Sequence, residues 1–364
     1  MRISLYNWGK ARQVGVRKTY HDLEAKLRKE LLMIVKYIPE DFIVQEVLIT
    51  DHTPQDMGQP YILLNLDKKG WSTFDAEREI KSWFGISEVE SAGLKDSDGI
   101  TSQKISVSGE FRGMLDRIET FNREYAGEQK YIHLSFLGYV NEPLKPARLE
   151  GNVFRLRLRG MESERAEAWL KKQIYTLVYP NYFDKQRFGM PGYKKQTHLI
   201  GEALYNKDYK KAYEYLLESG TKEASLPCDG DYENFFHQID KRIRGFYDSA
   251  LYAFDFNKRL GDLLEENGPV CTVEDEGLFF RMPKEKRTMA ALMNEQFPEE
   301  KIGSFRVKTV EQAVPRKLLV TTNINFLSCE EDEYHPGKSV LTVSFFLPMG
   351  TYATMAMKQL EIFL

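Results

Sequence analysis

Cysteine is scarce in this chain: Cys228, Cys271 and Cys329 are the only three in 364 residues. They are odd in number and far apart, which excludes a disulfide framework or a zinc-type cluster and points to reduced thiols. The six histidines show no HExxH spacing, and neither a GxxxxGK(S/T) nor a GxGxxG loop is present. Chemistry resting on a metal, a nucleotide or a nicotinamide is thereby excluded, and no metal or cofactor is expected. No apolar run reaches the roughly 18 residues that a membrane span requires, and Met1-Arg-Ile-Ser-Leu-Tyr lacks the apolar core of a signal peptide. A cytoplasmic protein with no membrane partner is the expectation. Internal repeats and low-complexity tracts are also absent.

What is present is an ordinary globular composition, 42% hydrophobic and 29% charged, in a chain longer than one core usually serves. Two domains follow. Net charge is −3, so the whole molecule is no electrostatic glue for nucleic acid, but the charge is uneven. Residues 145–172 carry eight basic and four acidic side chains, whereas residues 261–300 carry four and ten. One part can face phosphate while another faces away.

Leu23, Leu27 and Leu31 recur at helical spacing, and Met33 to Tyr37 leads through Pro39 into the β-rich run Phe42 to Leu48. Ser72 or Thr73 caps a predicted helix with Phe74, Ile80, Trp83 and Phe84 inward and Gly85 as its stop. In Val153 to Arg159 the arginines 155, 157 and 159 alternate with apolar residues, which predicts three guanidiniums on one sheet face, either solvated or in contact with phosphate. A helix is predicted from Glu162 to Leu177, with Ala166, Trp169, Leu170 and Ile174 as its apolar stripe and Pro180 beyond it. From about Gly201 to Lys317 the chain turns helical and acidic, and Ser339 to Leu347 returns to a strand pattern.

Three unusual strings lie on this framework. Ala92-Gly-Leu-Lys-Asp-Ser-Asp-Gly-Ile-Thr-Ser-Gln103 sets a carboxylate beside a lysine in a glycine-flanked turn that opens a strand. Pro180-Asn-Tyr-Phe-Asp-Lys-Gln-Arg-Phe-Gly189 and Leu347-Pro-Met-Gly-Thr-Tyr-Ala-Thr354 follow downstream. With Lys36 before Pro39-Glu-Asp-Phe42, and with Leu149-Glu-Gly-Asn152, they make an ordered set that resembles the TruD family of tRNA pseudouridine synthases.

The residue types suit that chemistry in their own right. Turning uridine into pseudouridine breaks the N1–C1′ bond, rotates the uracil and rejoins it through C5, so one carboxylate can serve as nucleophile or as base. The resemblance implies that Asp96 is this carboxylate and that Lys36 lies near enough to hold it ionised and oriented. Lys95 reads as a surface lysine. A target uridine in folded RNA must leave its stack, and an aromatic face helps to receive it. By resemblance Phe42, Phe183 and Tyr352 line the pocket, Asn181 positions polar groups, and Arg187 steadies its own loop or a phosphate.

The resemblance also implies an α+β fold with a mixed sheet. The catalytic pseudouridine synthase domain would span residues 1–200 and 320–364, interrupted by a TruD-type α+β insertion domain over 201–319. The expected partner is RNA, a tRNA with uridine 13 of its D arm as target, bound by a monomer. The sequence departs from the family pattern at Ser97, often basic; at Gly99, usually alanine; at Lys358-Gln359, usually Arg-Glu; and at Tyr252 to Asp255, ahead of Phe256-Asn257. These bear on the choice of RNA more than on reaction type. A rival reading is a divergent RNA-binding or RNA-chaperone paralogue with little activity. A glycosidase-like hydrolase using Asp96 with Asp98 as paired carboxylates is a weaker third reading.

Overall fold

The computed structural model describes residues 33–49, 60–108, 112–190, 192–295, 297, 301–302, 305–306 and 316–364. The predicted stripe at Leu23, Leu27 and Leu31 lies outside them. In chain order the strands are β1 (Phe42–Leu48), β2 (Tyr61–Lys69), β3 (Val89–Ser91), β4 (Ile100–Ser108), β5 (Tyr131–Val140), β6 (Leu149–Met161) and β7 (Ile174–Pro180), then β8 (Val270–Asp275), β9 (Leu278–Pro283), the short β10 (Lys301–Ile302) and β11 (Phe305–Arg306), β12 (Leu319–Glu331) and β13 (Ser339–Pro348). The helices are α1 (Thr73–Phe84), α2 (Ile118–Glu124), α3 (Ser163–Leu170), α4 (Thr197–Tyr205), α5 (Tyr209–Leu217), α6 (Tyr232–Gln238), α7 (Lys241–Asn267), α8 (Lys286–Ala290) and α9 (Ala353–Phe363). The fold is α+β, as the sequence implied.

Contacts group the chain into two units. Of the described residues, the sheet unit takes those up to Thr176 together with Thr322–Gly350; the helical unit takes those of Leu177–Thr321 with Thr351–Leu364. The divisions fall inside β7 and β12 and just after Gly350.

In the sheet unit a nine-stranded sheet runs in the order β5-β2-β4-β1-β6-β13-β12-β7, with β3 paired to β4. Strands β1 and β4 pair in parallel, Ile43 opposite Ile100, beside antiparallel ladders such as β1–β6 and β2–β4, and the sheet is therefore mixed. Two glycines permit close approach of neighbouring segments in the sheet. A Cβ at Gly99 would run into the carbonyl oxygen of Phe42, and one at Gly151 into that of Leu347.

Helix α1 starts where Ser72 Oγ accepts the Asp75 amide at 3.1 Å and stops at left-handed Gly85, φ 71°. It buries Thr73, Ala76, Ile80 and Phe84, and its last two meet Ile62, Leu64, Leu66 and Phe121 in the core. Each such side chain contributes about 1.5 to 3 kcal/mol. The predicted inward Phe74 is 65% exposed, because it stands 100° around the helix from Thr73.

The helix predicted to Leu177 ends at Leu170. Gln173 adopts φ 60°, which breaks the helix, and the β-branched run that follows becomes β7, with Ile174 exposed. The three alternating arginines of β6 also part company. Arg155 is exposed and Arg157 is half-buried beside Glu330 and Glu333. Arg159 is fully buried, with Nε on Asp41 at 2.7 Å and Nη1 on Asp332 at 3.1 Å. It is neither solvated nor available to phosphate, because the Pro39–Phe42 entry and the turn after β12 cover that end of the strand.

In the helical unit, α4 to α7 enclose Ile200, Ala212, Leu216, Phe235, Phe236 and Tyr247. The hairpin β8–β9 and the buried helix α9, which the strand pattern of the last residues did not announce, complete the unit.

Candidate active site

The strings singled out in the sequence assemble into two groups of side chains, one in each unit. In the sheet unit, Lys36, Phe42 and Asp96 come together. Lys36 Nζ lies 3.3 Å from Asp96 Oδ2 and 3.8 Å from the centroid of the Phe42 ring, so one ammonium is held between a carboxylate and an aromatic face. Lys36 itself has φ 60°, a costly conformation for a non-glycine residue that tertiary contacts must impose. Phe42 is 5% exposed and sits edge-on to Phe154, so its ring is core on one side and a seat for Lys36 on another.

The Asp96 turn is fixed from several directions. Thr73 Oγ1 accepts the Lys95 amide at 2.8 Å and donates to Gln103 Oε1 at 3.0 Å, while Gln103 Nε2 donates to the Gly93 carbonyl at 3.0 Å. Lys95, read in the sequence as a surface lysine, is buried and pairs with Glu46 of β1 at 2.9 Å. The correction has a physical cause: residues of a turn that packs over a sheet alternate between inside and outside, and here Leu94 and Lys95 exchange the places their chemistry suggests, with Leu94 62% exposed. Asp96 keeps 41% of its side chain accessible. The turn thus presents the Asp96 carboxylate while burying Lys95, Thr73 and Gln103. Asp98 is also partly exposed and accepts from its own neighbour Ser97 at 3.1 Å.

The helical unit gathers Asn181, Phe183, Arg187 and Tyr352, together with Arg316, which the sequence reading missed. Asn181 is buried and its carboxamide is engaged: Nδ2 donates to the Lys317 carbonyl at 2.9 Å, and Oδ1 accepts from Arg316 Nη2 at 2.8 Å. Arg316 also donates to the Asn181 carbonyl at 2.8 Å and lies flat against Phe183, 3.8 Å from the ring centroid. Burial pulls its guanidinium down to about 10, against the opposing influence of Tyr352, Tyr252 and Tyr179. Phe183 packs edge-on to Phe256, and its backbone is clasped at both ends by Asn257, which accepts its amide and donates to its carbonyl, each at 2.8 Å. Arg187 stands over Phe246 at 5.0 Å; burial lowers its pKa and Tyr352 acts the other way.

Beneath this loop lies a buried ionic cluster. Asp275, at the tip of the β8–β9 hairpin, accepts Lys185 and Lys358, each at 2.8 Å, and Glu276 accepts Lys185 at 2.7 Å and Lys195 at 3.0 Å. Thr354 donates to Asp184 at 2.7 Å, tying the downstream string to the same loop. Lys358, which departs from the family pattern, is therefore a structural cation. Arg316 carries no signal in the sequence, and Asn257 only its place in the Phe256-Asn257 pair; the role of each is recognised by what it touches. Among the described residues no cluster of histidine, cysteine, aspartate and glutamate could hold a metal, and no helix is long and apolar enough to cross a membrane.

Comparison with known proteins agrees with the resemblance. The family model for tRNA pseudouridine synthase D (TruD) matches residues 28–228. The tRNA pseudouridine synthase D of Aquifex aeolicus is 32% identical over 385 residues, spanning 90% of this chain and 97% of its own length. That of Geotalea daltonii is 34% identical over 297 residues, 78% of this chain and 64% of its own. A crystal structure of a TruD protein from Methanosarcina mazei is similar in fold, with a TM-score of 0.58 at 21% identity over 89% of this chain and 92% of that one.

Proposed function

Since the chain belongs to the tRNA pseudouridine synthase D family, and is in that sense an RNA-modifying isomerase, we propose that it isomerises a flipped-out uridine, uridine 13 in the D arm of tRNA, with Asp96 as the catalytic carboxylate. The observation that carries this reading is the contact of Lys36 Nζ with Asp96 Oδ2 at 3.3 Å, in a turn that leaves Asp96 41% accessible while its supports are buried. An ammonium at that distance favours the ionised carboxylate, and ionisation is required whether Asp96 attacks the nucleotide or removes a proton from the sugar. The chemistry closes without a cofactor. The N1–C1′ bond breaks, the C5–C1′ bond forms, C5 gives up its proton and N1 gains one.

Phe42 serves this site by seating Lys36, whereas Phe183, Tyr352, Asn181 and Arg187 belong to the nucleotide's binding surface, with Arg316 as the group that orders them. A base stacked on Phe183 takes the face that Arg316 covers in the structure, so the guanidinium either shares the stack or gives way. The division into a catalytic part, 1–200 with 320–364, and an insertion, 201–319, belongs to the same proposal, as do a monomeric enzyme and a cytoplasmic location.

The test compares wild type and Asp96→Asn on a tRNA transcript with tritium at C5 of uridine. Tritium release should fall by about 10² to 10⁴-fold, while a gel shift reports unchanged affinity. A transcript with cytidine at position 13 should release none above background. Activity of Asp96→Asn within a few fold of wild type would reject the carboxylate; release from the cytidine-13 transcript would reject the position only.

A further inference from the structure

Lys68, on β2, is fully buried beneath the Asp96 turn. Its ammonium donates to three main-chain carbonyls, those of Trp71 at 2.9 Å, Lys95 at 3.2 Å and Asp96 at 3.0 Å. Three donors thus meet three acceptors, and two of these belong to the peptide units on which the Asp96 side chain is mounted. Lys36 touches the carboxylate from outside; Lys68 holds its backbone from below.

Removing an ammonium from water costs several kcal/mol unless hydrogen bonds and opposite charge offset it. A methionine would fill the same length of β2 without that cost. A buried cation of this kind beside a catalytic group marks a functional role by its chemistry. The charged groups acting on it are the Asp96 carboxylate, which favours its protonation, and the Lys95 ammonium, which opposes it and is itself paired with Glu46 of β1. Helix α1 faces the turn with Thr73 and β4 with Gln103, both uncharged.

We propose that Lys68 is a positioning residue for the isomerisation: its buried ammonium fixes the Lys95 and Asp96 carbonyls and so aims the Asp96 carboxylate, adding a second positive charge behind it. The proposal rests on the reading of Asp96 given above. Displacing a reacting group by about 1 Å costs on the order of 10²-fold in rate, and that sets the scale of the effect.

Burial pulls Lys68 down to about 8, the Asp96 carboxylate working against this and Lys95 with it. The sign separates two roles. The folded-state pKa lies below the ordinary lysine value, so the group's contribution to fold stability is absent below about 8 and grows toward the unfolded value above it. A purely structural Lys68 would accompany a fold that holds or gains stability above pH 8 with an unchanged rate. A positioning ammonium lets the rate fall while the fold holds.

Full-length wild type, Lys68→Met, Lys68→Arg and Asp96→Asn are compared on the same tRNA by saturating single-turnover rate, gel-shift Kd and Tm. Lys68→Met should lower the rate about 10- to 100-fold with Kd changed less than about threefold, and Lys68→Arg, which keeps a cation, should recover much of the loss. The wild-type rate should drop as pH passes through about 8, and Lys68→Met should lack that limb. If Lys68→Met does not fold, the wild-type profile decides, and a rate unchanged across that range overturns the proposal. A folded Lys68→Met with the wild-type rate overturns it while an inactive Asp96→Asn leaves the catalytic reading standing. An active Asp96→Asn removes both.

Discussion

The turn at Asp96 and the loop from Pro180 to Gly189 are both short irregular stretches, yet they are secured by opposite means. The turn rests on Thr73 and Gln103, within about thirty positions, on the Lys95–Glu46 pair, and on a lysine that holds main-chain carbonyls; its acidic side chains, Asp96 and Asp98, are left partly accessible. The loop is tied to residues far along the chain, Asn257, Asp275 and Arg316 among them, and the side chains of Asn181, Tyr182, Asp184 and Lys185 are engaged in long-range ties. On the proposed reading, the carboxylate that reacts is kept out of its own scaffold. The loop proposed to hold the nucleotide instead spends polar groups on its own anchoring. Two of the three aromatic residues expected to line the pocket carry a cation on a ring face, Lys36 on Phe42 and Arg316 on Phe183, so in each region an aromatic ring first serves to place a charge.

The most forceful way to break this contrast is to cut the buried ionic cluster under the loop. Asp275→Asn takes the carboxylate from buried Lys358 and leaves Lys185 with Glu276 alone, and a loss of about 3 to 5 kcal/mol in unfolding free energy is expected from a urea titration. A loss below about 1 kcal/mol would mean that the loop does not depend on the cluster.

A smaller effect is expected at acid pH. His198, at the start of α4 and edge-on to Phe188 of the loop, is pulled down to about 4 by burial. Its contribution is fully present above the ordinary histidine value of 6.5 and is lost as pH falls through about 4. The wild type should therefore lose about 3 kcal/mol more than His198→Leu between neutral pH and pH 4, at about 1.4 kcal/mol per unit. Parallel pH–stability curves would remove His198 from the account.

Least in size but most telling about function is Phe183→Ala. Loss of the stacking face should raise the barrier by about 1 to 3 kcal/mol with the salt dependence of RNA binding unchanged. A sharp fall in Tm with a fully active folded fraction would make Phe183 a packing residue between Phe256 and Arg316 and nothing more.

Much of the framework was legible in the sequence because it depends on local rules. Ser72 and Gly85 bound α1 as read, and Phe42–Leu48, the strand after Gly99 and Ser339–Leu347 all form strands of the mixed sheet. The failures share one cause. Periodicity says which residues share a face but not what covers it, so Arg159 could be put on a face with Arg155 and Arg157 while its burial under Asp41 and Asp332 could not be seen. The overlong helix failed for a related reason: Gln173 reverses the chain with a positive φ that no residue type there announces.

What the sequence determined by itself was the family, through five ordered strings, and the candidates Lys36 and Asp96 that the structure sets 3.3 Å apart across sixty positions. It also fixed the α+β character, since alternation and capping are written in adjacent residues. Only the tertiary structure decided that Lys95 is buried, that Lys68 stands under the Asp96 turn, that Lys358 answers Asp275, and that Arg316 lies on Phe183. A buried charge is chosen by its partners, and those partners come from strands and helices brought together by folding, at separations no local pattern encodes.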